Sequence, residues 1–324
     1  MMDFVNQGDI DPMLFIDYKG SYYEFLEGIK ENKRDLSESE SLLLEFMYTQ
    51  LANGLRPHEL IILKALSENS TITISDIAEQ LTVQFNIDDD LDSVKGALNV
   101  LHGDFLVGQS KLVHVKLVHC LGDEIKLTSE MAKSLRNNYF SELMDDLIAF
   151  GLYRYQKKYS KLYKDTKFKL YEKYSRRDVC RLLNWDKNED GTVNGYPRKV
   201  KKGTIPIFVT YHKQDDISET TKYEDRFINQ DIFSWMTRSN LTTQSSEVQN
   251  ILHAKENNVK LHLFIKRDDT EGAGLYYFGL VDPILNSVSE TVIQSKEGKG
   301  IPIVNIPLQL EIPAQQQMYT YLVR

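Results

Sequence analysis

Hydrophobic and polar positions follow a helical period through the first fifty residues. Leu14, Phe15, Tyr18, Tyr22, Phe25, Leu26 and Ile29 recur at helical spacing, and so do Leu42, Leu43, Phe46, Met47 and Leu51. Asn53-Gly54 closes the second of these helices, and Pro57 suits the first turn of the next. Residues 57–128 carry the pattern of a winged helix-turn-helix. A helix from Pro57 to Leu66 precedes the short extended piece Thr71–Ile74, and Ser75 is placed to cap a second helix. The third helix runs from Leu91 to Leu101 with Leu91, Val94, Leu98 and Leu101 inward. Val113–Val118 and Glu124–Leu127 alternate like the two strands of a wing.

A helical pattern returns over 129–172, with Met131, Leu135, Tyr139, Leu143, Leu147 and Phe150 on one face. It continues into Tyr153, Tyr155, Tyr159 and Tyr163, interleaved with lysines. From residue 203 the pattern becomes that of strands: Thr204–Tyr211, Leu261–Ile265, Leu275–Val281 and Ile301–Ile312, separated by polar, glycine-bearing loops. A mostly antiparallel sheet or partly closed barrel, with a helix near Ser246–Lys255, fits this order. The fold class read from the pattern is α+β, helices first and sheet second.

Charge divides the 324-residue chain where the hydrophobic pattern changes. Residues 1–150 balance at −14, residues 151–202 at +10 and residues 203–324 at −4, which the overall −8 conceals. An acidic module repels nucleic acid and a basic one attracts it, so the reversal points to parts facing different partners. The alternative is a solvated basic helix balancing the acidic half internally. The third helix of the winged module, which enters the major groove in a DNA reader, here begins Asp88-Asp89-Asp90-Leu91-Asp92. Carboxylates there oppose phosphate, and the module reads as a protein-contact or spacer domain. No apolar run is long enough to span a membrane, and the first residues lack a secretory signal. Two cysteines, Cys120 and Cys180, make neither a disulfide framework nor a structural zinc site and agree with a reducing cytoplasm.

No catalytic constellation emerges, and neither a cofactor nor a metal is implied. There is no phosphate-binding glycine loop ending in Lys-Ser/Thr and no His-Glu-x-x-His spacing. His114-Val115-Lys116 has Leu121 where a phospholipase-D-like nuclease needs Asp. Asp282 followed by Glu297-Gly298-Lys299 matches half of a metal-dependent nuclease motif, a spacing common by chance. Two other segments stand out. In Tyr174–Trp185, Ser175 and Asp178 form a capping-box-like start that gathers Arg176, Arg177 and Arg181 around a helix N-terminus, which is what phosphate oxygens require. The other reading is a surface helix with Leu182, Leu183 and Trp185 packed below. In Thr210–Phe227 and Phe233–Ser239, aromatic, acidic and hydroxyl side chains crowd two loops beside a strand, the inventory that an extruded base needs. Phe233 and Trp235 serve equally well as core.

The run Tyr174–Trp185, the strand Pro206–Lys213, Ile217–Phe227, Phe233–Ser239, Ala254–Asn257 and Tyr276–Pro283 resemble a C-terminal domain of bacterial phospholipase-D-like nuclease/helicase proteins. The upstream Ala52–Leu60 resembles the segment that links their helicase cores to it. Among such proteins, the ATP-dependent type IV, methylcytosine-directed restriction endonucleases use this domain as an SRA-like (PUA-like) barrel reading modified cytosine, joined to the motor by a helical coupler. The resemblance implies a helical segment at 1–56, a winged module at 57–128, linking helices at 129–169 and a base-flipping reader at 170–324. It also implies double-stranded DNA bearing modified cytosine as ligand, and helicase and nuclease domains as partners. Those enzymes' nuclease and ATPase motifs are absent here, so the chain is expected to be a non-catalytic piece of a longer enzyme.

Within the reader, Tyr211 and Trp235 are expected to stack on the base and Asp216 or Asp225 to accept the cytosine amino hydrogen. Tyr223 and Ser234 complete the expected pocket. Arg176, Arg177, Arg181, Lys213 and Arg238 are expected to hold phosphates.

Overall fold

A computed structural model describes residues 1, 2, 5, 11–14, 22, 23, 36–87, 91–212, 225–294 and 300–324. The chain divides into two units. Unit 1 is Met1–Lys161 with Asn184–Asn188, and unit 2 is Leu162–Leu183 with Glu189–Arg324.

Unit 1 is built on helices whose starts are chemically marked. Helix α1 (Glu38–Leu51) begins at Ser37, whose hydroxyl and the Glu40 carboxylate complete a capping box. Helix α2 (His58–Glu68) follows Pro57. A short strand β1 (Ile72–Thr73) leads into α3 (Ile74–Phe85). The cap of α3 is Thr73, two residues before the expected Ser75, because Asp76 stands at the position that returns a hydrogen bond to the Thr73 amide at 2.8 Å. Helix α4 (Leu91–Leu101) buries Val94, Ala97, Leu98 and Leu101, but Leu91, expected inward, is exposed at the helix start.

Strands β2 (Val118–Leu121) and β3 (Glu124–Leu127) join β1 in an antiparallel sheet of order β1-β3-β2. The first of the two expected wing strands is thus displaced toward the C-terminus. Residues Lys111–His114 form a 3-10 turn, opened by Ser110, whose hydroxyl accepts from the Leu112 amide. Helices α5 (Ser129–Ser134) and α6 (Asn138–Arg154) occupy the first part of the helical stretch expected over 129–172. Asn137 breaks the run by capping α6, accepting from the Tyr139 amide at 3.1 Å. Beyond α6 one π turn, Tyr155–Tyr159, buries both its terminal tyrosines, and no helix continues over 160–172.

Unit 2 contains an eight-stranded mixed sheet. Its strands are β4 (Lys173–Tyr174), β5 (Thr204–Thr210), β6 (Arg226–Phe227), β7 (Ile232–Met236), β8 (Lys260–Lys266), β9 (Leu275–Pro283), β10 (Ser289–Gln294) and β11 (Gly300–Leu310). The hydrogen-bonded path is β5-β8-β9-β11-β7-β6, with β10 on β11 and β4 on β9. The β5–β8 pair is parallel and the others are antiparallel. Among the described residues no ladder joins β5 to β6, so the sheet is the open, mostly antiparallel one that the sequence pattern allows, and the barrel that the resemblance implies is not closed.

Both faces of the sheet are covered. Leu261, Leu263 and Ile265 of β8 face a core shared with Val248 and Ile251 of the helix Ser246–Leu252 and with Leu322 near the C-terminus. His262 and Phe264, on the alternate face, meet Phe168 and Tyr277. That two-sided burial is why β8 reads as a continuous apolar run. Phe233–Met236, expected in a loop, belongs to β7, which is hydrogen-bonded to β11 on one side and β6 on the other.

Candidate functional site

In unit 2, a cavity of about 570 Å³ opens beside β5. Its floor and walls come from elements that the sequence places far apart. Helix α7 (Arg176–Leu182) brings Arg176. The α7 start is fixed by the expected capping box: Ser175 Oγ accepts from the Asp178 amide at 3.2 Å, and Asp178 Oδ2 accepts from the Ser175 amide at 2.9 Å. Strand β5 brings Phe208, whose amide donates to the Gly195 carbonyl at 2.7 Å. That bond lays the loop carrying Asn194, Tyr196 and Arg198 along β5 and into the cavity wall. Strand β7 and the residues after it bring Trp235, Met236 and Arg238, and Asp225 and Asp269 supply carboxylates.

Aromatic rings give the cavity flat surfaces. Tyr196 meets Trp235 edge-on, with ring centroids 5.0 Å apart and planes at 77°. Burial pushes the Tyr196 hydroxyl pKa up, with the Arg238 guanidinium opposing the shift. Of the lining arginines, Arg176 and Arg238 differ in what they already hold. Arg238 lies 4.2 Å over the Tyr196 ring, donates from Nη2 to the Tyr196 carbonyl at 2.8 Å and pairs from Nε with Glu247 at 3.0 Å. Its charge is therefore compensated. Arg176 has its guanidinium 5.6 Å from the Phe208 ring, and its buried Nε has no hydrogen-bond partner among the described residues. A cation so placed favours an electron-rich ligand atom. Of the two carboxylates, Asp225 accepts from the Met236 amide at 2.9 Å and Asp269 pairs with Lys266 at 2.8 Å.

The structure brings Arg176, Asp225, Trp235 and Arg238 to this one cavity. Tyr211 is placed elsewhere: it is half-buried against the core, roughly parallel to Phe227 at 6.2 Å, with its hydroxyl accepting from the Phe227 amide. Ser234 points to the opposite face of β7 from Trp235 and donates to Asn305 Oδ1 at 3.0 Å. Arg181 is buried in the last turn of α7, and neither it nor Arg177 lines the cavity. Asp216, Tyr223 and Lys213 lie outside the described residues. Sequence reasoning did not single out Tyr196, Arg198 or Phe208. The available signal was Gly195-Tyr196-Pro197-Arg198, a turn-forming sequence with an aromatic and a cation inside the basic stretch.

Among the described residues no cluster of three or more His, Cys, Asp and Glu side chains is arranged to hold a metal ion. Asp282, part of the half motif for a nuclease, is near Lys255 at 3.4 Å, and Glu297–Lys299 lie outside the described residues. No described helix is long and apolar enough to cross a membrane.

Two domain families match the chain. Residues 168–322 match a domain of unknown function, DUF3427, and residues 1–160 match another, DUF8090. No curated protein sequence matches. Among solved structures, the sulfur-binding and SRA domains of ScoMcrA complexed with phosphorothioated DNA align over 93% of this chain and 95% of theirs, at 10% identity and TM-score 0.30. The type IV phosphorothioation-dependent restriction endonuclease ScoMcrA aligns over 96% of this chain and 63% of its own, at 10% identity and TM-score 0.29. Both scores lie below those of proteins that share a fold.

Proposed function

We propose that this chain is the DNA-reading part of a modification-dependent restriction system, and that the unit 2 cavity receives a modified cytosine swung out of the duplex. The observation that carries this reading is Arg176: a guanidinium whose buried Nε has no hydrogen-bond partner among the described residues, held over Phe208 in a cavity also walled by Tyr196 and Trp235. The cavity's volume is in the range of small-ligand sites. Extruding a base costs a few kcal/mol, and stacking on an aromatic ring returns about 1–3 kcal/mol. Arg176 is assigned to a phosphate or base oxygen and Asp225 to the exocyclic amine. A methyl group contributes only about 1 kcal/mol on burial, so selection rests on the cavity's shape.

Unit 1 is assigned as the coupler to an ATP-driven helicase and nuclease, with this chain itself catalysing nothing. Its order of helix, strand, two helices and two strands over 58–127 supports a winged-helix reading of that part. The test is a duplex carrying 2-aminopurine next to the modified cytosine, whose fluorescence rises when its neighbour leaves the stack. Binding should brighten the probe, and Phe208→Ala together with Tyr196→Ala should remove the brightening while the protein stays folded. A probe that stays dark at saturating protein contradicts the extrusion.

A further inference from the structure

We propose that Arg198 holds the phosphate of the extruded nucleotide, so that the unit 2 cavity takes a whole nucleotide and Arg176 is left to the base; this rests on the cavity being the site of the extruded base. Room is the first reason. A methylated cytosine has about nine non-hydrogen atoms, which fill about 270 Å³ even at the ~30 Å³ that each molecule takes in liquid water. The cavity, at about 570 Å³, is more than twice that size. A nucleotide, with about twenty such atoms, matches the space far better.

Charge and exposure say where the phosphate goes. Of the charged residues in the lining, Arg238 pairs with Glu247, Asp269 pairs with Lys266, and Asp225 accepts from the Met236 amide. Arg198 also lines the cavity, is exposed, and makes no hydrogen bond, ion pair or ring contact among the described residues. Its backbone is nevertheless held. Gly195, at φ +79°, turns the loop, and its carbonyl accepts from the Phe208 amide at 2.7 Å. The Tyr196 carbonyl accepts from Arg238 Nη2 at 2.8 Å, and buried Pro197 restricts the backbone just before Arg198. Beyond Arg198, Lys201 and Thr204 exchange backbone hydrogen bonds at 3.1 and 2.9 Å. A fixed loop thus presents an exposed cation at the cavity. Arg176 has the other character: its guanidinium lies 5.6 Å from the Phe208 ring and its Nε is buried. A phosphate loses far more than a base does on leaving water, so it meets the exposed arginine, and the base meets the enclosed one.

The test uses the full chain, Arg198→Ala, Arg198→Lys and Arg176→Ala, with two kinds of probe. The first is 5-methyl-2′-deoxycytidine beside its 5′- and 3′-monophosphates, titrated at low salt. One monophosphate should bind about tenfold tighter than the nucleoside, and Arg198→Ala should reduce that advantage to less than about twofold while Arg198→Lys keeps part of it. Arg176→Ala should weaken nucleoside and monophosphate alike. The second probe is a matched pair of duplexes with and without 5-methylcytosine. Arg198→Ala should lower the slope of log affinity against log salt by about 1 and weaken both duplexes equally, whereas Arg176→Ala should reduce the preference between them. A monophosphate advantage or a salt slope that survives Arg198→Ala overturns the assignment of Arg198. If instead no monomer binds and Phe208→Ala with Tyr196→Ala leaves duplex binding unchanged, the cavity reading on which the assignment rests is overturned.

Discussion

His262 is fully enclosed by the aromatic cluster of unit 2, with Nδ1 within 3.1 Å of the Tyr277 hydroxyl and Nε2 lacking a hydrogen-bond partner among the described residues. Burial, aided by nearby Lys260, drives its pKa from an ordinary 6.5 to about 3. The folded state therefore keeps the ring neutral, while the unfolded chain takes up a proton below pH 6.5. Stability from this group is complete above that pH and is lost as pH falls toward 3, by at most about 1.4 kcal/mol per unit. Between pH 7 and pH 5 the chain should lose roughly 2 kcal/mol that His262→Phe does not lose, as read by urea unfolding at the two pH values.

Arg176 presents the opposite case, a cation whose buried Nε has no hydrogen-bond partner among the described residues. If it meets a phosphate, Arg176→Ala should lower the slope of log affinity against log salt by about 1 and weaken binding similarly across sequences. If it meets a base oxygen, the slope should hold and selectivity should fall, so a salt titration distinguishes the two. Of these residues the sequence made Arg176 visible, because its capping box is local. Arg198 was not singled out, since the bond that places its loop, from the Phe208 amide to the Gly195 carbonyl, joins a loop to a strand.

Among elements, α7 is where local chemistry matters most. Ser175→Ala removes the side chain that accepts from the Asp178 amide and should cost about 1 kcal/mol in thermal or urea unfolding. It should also weaken DNA binding, because the same helix carries Arg176. Helix starts were legible where a hydroxyl and a carboxylate sit three residues apart, as at Ser175 and Asp178. The shift from Ser75 to Thr73 shows the limit of that signal when two hydroxyl residues are adjacent candidates. Strand β7 escaped notice because Phe233, Ser234 and Trp235 are all buried between two neighbouring strands, so it lacks the alternation of a one-sided strand. The wing strand was misplaced for a related reason: Val113–Val118 alternates, but Ser110 turns its first part into a 3-10 helix.

For the whole molecule, the change from helical to strand periodicity was readable, and so was the reversal of charge. The path of the chain between units was not. The basic stretch over 151–202 contributes to both units, and Asn184–Asn188 returns to unit 1 through contacts that no local pattern encodes. The openness of the unit 2 sheet was equally hidden, since strand periodicity fixes which residues pair inward and not whether the outer strands meet. The central claim, that an aromatic and cationic hollow in unit 2 selects chemically marked cytosine, is tested most directly by equilibrium titration of matched duplexes with and without 5-methylcytosine at several salt concentrations. The account predicts tighter binding of the marked duplex at every salt concentration, with the preference abolished in a Phe208→Ala, Tyr196→Ala chain. Equal affinity for the two duplexes throughout would contradict it.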